Sequence, residues 1–253
     1  MRISKKVWNN FINRLKALND AAANKVTEYI NTHDVSTDRG LAELIAYSYA
    51  IATKYGEGSA TLSAMMYDAI AELSGETLPP AVPARTATYN ETARAIQGAR
   101  LFSQDPEVTS AAVGRLVKQA GVDTTMQNAI RDGAEWAWVP SGDTCAFCLT
   151  LASRGWQRAS RKALHNGHAE HIHNNCDCTY AIRFNGDTDV SGYDPEKYYN
   201  MYKSEPGSPK DKINAMRREA YAKNKEEINA QKRSAYEKRK ELNSSAAEEI
   251  NVN

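Results

Sequence analysis

The chain has 253 residues, with 32 basic and 31 acidic side chains that leave a formal net charge of +1 at pH 7. A charge this close to zero provides no overall field that would draw the protein to nucleic acid or to an anionic membrane. The most apolar segment, residues 41–52, is interrupted by Glu43 and is too short to span a bilayer. No signal peptide precedes the first helical pattern, so we expect a soluble protein, made in a reducing cytosol and with no membrane partner.

Apolar residues recur at steps of three and four along the first third of the chain, which is typical of amphipathic helices. Ser4 stands where the cap of the first helix would lie. Gly56 and Gly58 interrupt the pattern and are expected to separate the second helix from the third. The predicted helices cover residues 4–31, 37–55 and 59–74.

Proline and capping patterns divide the next sixty residues. Three prolines exclude a helix and favour a stiff connector, and Thr88-x-x-Glu91 is a capping box. Asp105-Pro106-Glu107 places a cap, a first-turn proline and a first-turn acid in the favoured order. The predicted segments are a connector at 75–86, a helix from Thr88 to about 103, a helix from Asp105 to Gly121 and a helix from Asp123 through Trp136. Residues 1–137 are therefore expected to form an N-terminal multi-helix domain.

All four cysteines and four of the five histidines lie within residues 145–178. Thiolate and imidazole are the ligands of zinc, which takes four tetrahedral donors. Cys145-x-x-Cys148 allows two thiolates from one tight turn to reach the same ion, and His173-x-x-Cys176-x-Cys178 can supply the remaining donors from a second turn. The alternatives are two disulfides or four unrelated thiols, and a reducing compartment disfavours the disulfides.

Five candidate ligands compete for four positions: Cys145, Cys148, His173, Cys176 and Cys178. Residues i and i+2 of an extended segment face opposite sides, so Cys176 and Cys178 do not both reach the ion if that segment is extended. The preferred set is the first two cysteines, His173 and one or both of the last two. Four protein ligands leave no open position, and we therefore expect a structural zinc rather than a catalytic one.

The second half of the chain is expected to be mainly loops around this site. Residues 138–184 contain few apolar side chains, so a bound ion is expected to hold a small loop and β-hairpin module together. A short strand is predicted at 179–184, and the tyrosine-rich segment 193–202 is predicted to form one or two helical turns docked by its rings. The expected divisions are a zinc module at 138–205 and a charged projecting helix and tail at 206–253, giving a mainly α fold overall.

Three segments together carry a family resemblance. They are Trp138-Val-Pro-Ser-Gly-Asp-Thr-Cys-Ala-Phe-Cys-Leu-Thr-Leu-Ala-Ser-Arg-Gly155, His171-Ile-His-Asn-Asn-Cys-Asp-Cys178 and Tyr193-Asp-Pro. This pattern resembles the MuF-like minor head (head morphogenesis) proteins of tailed phages, in which Cys-x-x-Cys-x-x-Leu-x-x-x-Gly is followed by His-x-x-Cys-x-Cys. His-Asn-Asn-Cys replaces the His-Pro-x-Cys often seen in that family.

The resemblance implies a low-copy structural protein of the virion that acts in head assembly. Its expected partners are the phage portal protein, the major capsid protein or both, with a weak contact to packaged DNA. The expected location is the head interior or the portal vicinity, and the host cytoplasm during assembly. The family's cysteines correspond to Cys145, Cys148, Cys176 and Cys178, and its histidine to His173.

Two enzyme classes use similar residues. His168-Ala-Glu-His-Ile172 resembles the histidine-containing strand of HNH-type nucleases, so the alternative function is a metal-dependent nuclease that uses the His168–His173 cluster. Such enzymes need a further Asn or His on a helix downstream, and no histidine follows His173. His168-Ala-Glu170 also matches half of the zinc deaminase signature, but the Cys-x-x-Cys precedes it instead of following. We therefore expect a structural protein without catalytic residues.

Overall fold

The computed structural model describes residues 2–140, 146–161, 178–186, 189–190 and 193–204. Within these ranges the chain is mainly helical, with a small three-stranded antiparallel sheet and one pair of parallel strands. The helices are α1 (Lys5–Thr32), α2 (Asp38–Leu73), α3 (Tyr89–Phe102), α4 (Pro106–Asp132), α5 (Ala146–Ala152) and α6 (Pro195–Ser204). The strands are β1 (Arg2–Ile3), β2 (Glu135–Val139), β3 (Gln157–Arg158), β4 (Thr179–Arg183) and β5 (Asp189–Val190). No helix of the described ranges is both long enough and apolar enough to cross a membrane.

The helices begin at the predicted caps. Ser4 Oγ accepts a hydrogen bond from the backbone N–H of Val7 at 3.3 Å, which starts α1. Thr88 and Glu91 form both halves of a capping box at α3, and Asp105 caps α4 with proline in its first turn. These starts are confirmed because a cap is a local arrangement of side chain and backbone, readable from a few residues.

The predicted break between the second and third helices is wrong, because α2 runs through both glycines as one helix of 36 residues. A Cβ on Gly56 would lie only 3.0 Å from Thr86 Cγ2, and one on Gly58 would lie 3.4 Å from a methyl group of Leu18. Glycine in a helix interior costs about 1 kcal/mol relative to alanine. Here it lets the connector and α1 approach the helix closely.

The predicted end of the fifth helix at Gly121 is also wrong. Helix α4 continues to Asp132 and is ended by Gly133, which has the left-handed φ of +69°. A Cβ on Gly121 would meet Ser59 Oγ at 2.6 Å, so this glycine marks the close crossing of α4 and α2. Trp136, predicted to be helical, lies in β2 instead.

The connector at 75–86 is non-helical, as predicted, and lies extended along α2 and α4. Asn128 holds it from α4: its Oδ1 accepts from Val82 N at 3.0 Å, and its Nδ2 donates to Val82 O at 2.9 Å. Asp68 and Thr124 accept from two further backbone N–H groups, and the Arg131 guanidinium donates to two proline carbonyls. The connector is thus fixed through its backbone polar groups rather than through apolar burial alone.

The antiparallel sheet has the order β3–β2–β4 and lies against the helices. The strand predicted at residue 179 is confirmed as β4. The expectation that residues 138–184 have little apolar surface to bury is wrong for the described part. Its buried side chains belong to the same core as residues of α1, α2 and α4, and include Trp138, Val139, Leu151, Tyr180, Ala181 and Ile182. Strand β2 also crosses the domain boundary predicted at 137/138, and the division into domains stays a prediction.

Two contacts close the fold. Strand β1 pairs in parallel with β5, with Ile3 beside Val190 and both side chains buried. Helix α6 contains most of the predicted tyrosine-rich segment, and its ring docking is confirmed: Tyr193 is buried and stacks on Tyr198 at 6.0 Å. The predicted charged helix and tail at 206–253 lie outside the described residues.

Candidate metal site and neighbouring surfaces

Cys148 is positioned by a short helix that follows the central strand. Strand β2 ends at Val139, and α5 starts seven residues later and packs against β2 and α6. Cys148 lies in this helix with 1% of its surface exposed, close to the fully buried Leu151 and Ala152. A cysteine this deeply buried on a packed helix has a fixed position.

Cys178 is positioned by the register of the sheet. Val139 is paired with Thr179 in the β2–β4 ladder, so one more step along the register places Cys178 opposite Pro140. Cys178 is 3% exposed and belongs to the same core cluster as Cys148. Cys178 therefore lies at the end of the sheet where β2 ends and β4 begins, and Cys148 lies in α5, which packs against β2.

The described residues include only two of the five candidate ligands. Cys145, His173 and Cys176 lie outside them, as do His165, His168 and His171 of the nuclease alternative. Neither Cys148 nor Cys178 is in a disulfide bond. In the ranges that the structure describes, no three His, Cys, Asp or Glu side chains form a group able to hold a metal. The zinc site therefore stays a prediction, and two buried thiols in one core cluster are compatible with it.

Aromatic side chains pack together around this end of the sheet. Tyr180 packs edge-on against Trp136 and Trp138, with ring centroids 4.9 and 4.7 Å away. Tyr193 Oη donates to the carbonyl oxygen of Ala152 at 3.0 Å, which ties the start of α6 to the end of α5. Burial raises the pKa of Tyr193 and that of Tyr198. The nearby Cys178 and Asp194 raise the pKa of Tyr198 further. Both phenols therefore remain neutral at physiological pH and act as packing and hydrogen-bonding groups.

A cleft of about 190 Å³ lies beside Cys178, between the start of β4 and the helices α1, α2 and α4. Its walls include Ser59, Ser63 and Gly121, where α2 and α4 cross. Within the described chain, Ser59 Oγ and Asn19 Oδ1 are buried there without a hydrogen-bond partner. Sequence reasoning missed this cleft, because Gly121 reads as a helix end until the close approach of Ser59 is seen.

A second cavity, of about 620 Å³, is an open groove between the connector, α3 and α4. We call it the arginine groove, and its charged and amide side chains are Arg85, Glu91, Arg94, Arg115, Gln119, Asp123 and Gln127. Sequence reasoning missed this groove because its residues come from three segments that no local pattern connects. Their charges are nearly balanced along the chain, and only the fold places three arginines together.

Comparison with known proteins gives one match. The family model described as VG15 protein matches residues 2–205, which include both the helical region and the cysteine segments. No curated protein and no solved structure matches the chain.

Proposed function

The chain belongs to the VG15 protein family, and on this basis we propose that it is a minor head protein of a tailed phage that acts in head assembly at or near the portal. The family match indicates a phage-encoded protein. Its partners in this proposal are the portal protein, the major capsid protein or both, with a weak contact to packaged DNA. The protein belongs in the virion, after assembly in the host cytoplasm, and it catalyses no reaction.

The observation that carries the proposal is the extent of the family match. Residues 2–205 contain the helical bundle together with the cysteine segments in which the MuF-like pattern occurs. A match confined to the short cysteine motif would support only a zinc-binding module. A match across the helices as well supports a common architecture, and helices packed in this way offer long surfaces for docking to a larger assembly.

The proposal includes a structural zinc near the end of the sheet where β2 ends and β4 begins. Cys148 and Cys178 would hold it together with Cys145, His173 and Cys176, four of the five acting as ligands. Two observations support this: both described thiols are buried, and both belong to the same core cluster. When bound, the ion supplies a cross-link between the two segments, and four protein ligands leave it no open position for a substrate.

The test is the composition and assembly of the phage head. Heads purified from infected cells are analysed by mass spectrometry for this chain, and the same is done for a phage in which a stop codon replaces an early codon. We expect the chain in wild-type heads at low copy number, and defective or fewer heads without it. Heads that lack the chain, and that assemble equally well without it, would refute the assembly role.

A parallel assay separates this function from the nuclease alternative. The purified protein is incubated with duplex DNA and either magnesium or manganese, and we expect the DNA to remain intact. Cleavage that depends on the metal, and that disappears on His168→Ala or His171→Ala substitution, would replace the structural role by the catalytic one. The His168–His173 cluster lies outside the described ranges, so this assay decides between the two functions.

A further inference from the structure

The arginine groove contains an uneven distribution of ion pairs. Arg85 is held by Glu91 through two hydrogen bonds, of 2.7 and 2.8 Å. Asp123 accepts from Gln119 at 2.8 Å. Arg94 is exposed, and among the residues that the structure describes it donates only to the carbonyl oxygen of Asn90, on its own helix. Arg85 therefore has a carboxylate partner, whereas Arg94 has none among the described residues.

Arg115 is the least compensated cation of the groove. It is half-buried on α4, and among the described residues it has neither a carboxylate nor any other hydrogen-bond acceptor. Burial lowers the pKa of its guanidinium, which nevertheless remains charged at any physiological pH. Partial removal of a charge from water without a partner is unfavourable, and a carboxylate reaching Arg115 would relieve this cost with charge-assisted hydrogen bonds.

One face of α3 leads from the groove towards two exposed apolar side chains. Glu91, Ala95, Gly98 and Phe102 follow one another at steps of four, three and four, which places them on one face of α3. Gly98 leaves this face open, because a Cβ built there meets no atom within 4 Å. Beyond it, Leu101 and Phe102 are 65% and 71% exposed. Two large apolar side chains exposed next to each other are typical of an interaction surface.

We propose that the arginine groove docks an acidic segment of a partner protein, whose carboxylate binds Arg94 and Arg115 and whose apolar side chain packs against Leu101 and Phe102. This inference rests on the proposed function, which requires a large protein partner, and it identifies the surface that contacts it. Arginine and aromatic residues are enriched at the centres of protein interfaces. The chemistry of the groove thus matches a partner with an acidic residue beside an apolar one.

Nucleic acid fits this groove less well. The three arginines are opposed by Glu91 and Asp123, so the net charge is +1 (three minus two). A nucleic-acid backbone, with its regularly spaced phosphates, would have to pass these two carboxylates. A single carboxylate on a protein segment avoids them.

The test measures binding of the full-length chain to the purified portal protein and to the purified major capsid protein of the phage that encodes it. The main variant is Arg94→Glu/Arg115→Glu, and Arg94→Gln/Arg115→Gln is a milder version that removes charge without reversing it. The matched control is Arg14→Glu/Lys25→Glu, which changes net charge by the same amount on the exposed face of α1. Thermal unfolding of each variant checks that the fold is retained. We expect the main variant to bind about tenfold or more weakly than wild type and the control to bind within about twofold of it.

Each outcome separates the inference from its premise. Equal binding by wild type and both groove variants would overturn the docking surface and leave the assembly role intact. Failure of the wild-type chain to bind either protein would refute the partner assignment and the docking inference with it. Loss of affinity for a short DNA duplex in the groove variants, with unchanged protein binding, would make the groove a nucleic-acid site and also overturn the inference. Phe102→Asp should weaken protein binding as the arginine variants do, because it removes the apolar contact.

Discussion

At the scale of single residues, glycines decide how closely the helices pack. Gly121 has no room for a side chain, since a Cβ would lie 2.6 Å from Ser59 Oγ and 2.7 Å from Ser63 Oγ. Gly98 faces open space. Both lie in helix interiors, so their intrinsic effect on helix stability is the same. The difference between them is entirely one of tertiary contact.

This contrast predicts opposite effects of one substitution. Gly121→Ala should lower the free energy of unfolding by about 1–3 kcal/mol, because the new methyl group forces α2 and α4 apart. Gly98→Ala should raise it by about 0.5–1 kcal/mol, because alanine is the better helix former and meets no neighbour. Urea unfolding followed by circular dichroism measures both. Equal effects in the two variants would mean that the α2–α4 crossing tolerates a wider separation.

At the scale of elements, the start of α3 is held by an ionised side chain. Glu91 completes the capping box and binds Arg85, and these contacts lower its pKa from the ordinary 4.5 to about 2, the Arg85 hydrogen bonds contributing most. Because the folded state holds the proton less tightly than the unfolded one, the contribution of Glu91 to stability is present above the unfolded pKa. It is lost as the pH falls through the folded pKa.

A pH series tests this contribution. The difference in unfolding free energy between wild type and Glu91→Gln should be largest above about pH 5 and shrink towards about pH 2. Glutamine retains the shape of the side chain and cannot be ionised, so the comparison isolates the charge. If the stability difference between wild type and Glu91→Gln does not vary with pH, ionisation of Glu91 does not contribute to the stability of the fold.

The connector between α2 and α3 depends on a second element-scale contact. Asn128→Ala removes both hydrogen bonds to Val82 and leaves that backbone N–H and C=O without their partner. We expect a loss of about 1–3 kcal/mol in unfolding free energy, with faster amide exchange at residues 79–86. Asn90→Ala, at an exposed position of α3, is the control and should change stability by less than about 0.5 kcal/mol. Unchanged exchange in the connector would assign its order to apolar packing instead.

At the scale of the whole molecule, one core extends from the helices into the sheet, and this limits what the proposed zinc can do. Trp136, Trp138 and Tyr180 pack together through ring contacts that involve none of the candidate zinc ligands. We therefore expect about one zinc per chain, and chelation should accelerate amide exchange in α5 and at the start of β4 but spare α1–α4. Cys178→Ser should lower the zinc content, whereas His33→Gln should not, because His33 caps α1. Global unfolding on chelation, or a protein without zinc, would contradict this expectation.

Sequence patterns predicted the parts of the fold that depend on neighbouring residues. Ser4, Thr88 and Asp105 were correctly identified as helix starts because caps need only a few residues of local sequence. Gly56 and Gly121 were misinterpreted as helix ends, since the atoms that require glycine belong to Thr86 and Ser59, distant in the chain. The position of a glycine in a packed helix can be explained only with the partner helix in view.

The candidate sites show the same division. The spacing of the cysteines predicts a metal site, and the fold then places Cys178 at the start of β4 and Cys148 in α5, in one core cluster. The apolar content of that region was underestimated because its buried side chains contact residues of α1, α2 and α4. The sequence around Arg115 does not show whether this arginine has an ion-pair partner, since its neighbours are set by the folded structure.

The pairing of β1 with β5 has a mechanical consequence. These strands run in parallel, with Arg2 beside Asp189 and Ile3 beside Val190. Tension applied before residue 2 and after residue 190 would pull the two strands in opposite directions along their length and load their hydrogen bonds together, in shear. The chain between residues 3 and 190 would carry none of that force until the β1–β5 pairing broke.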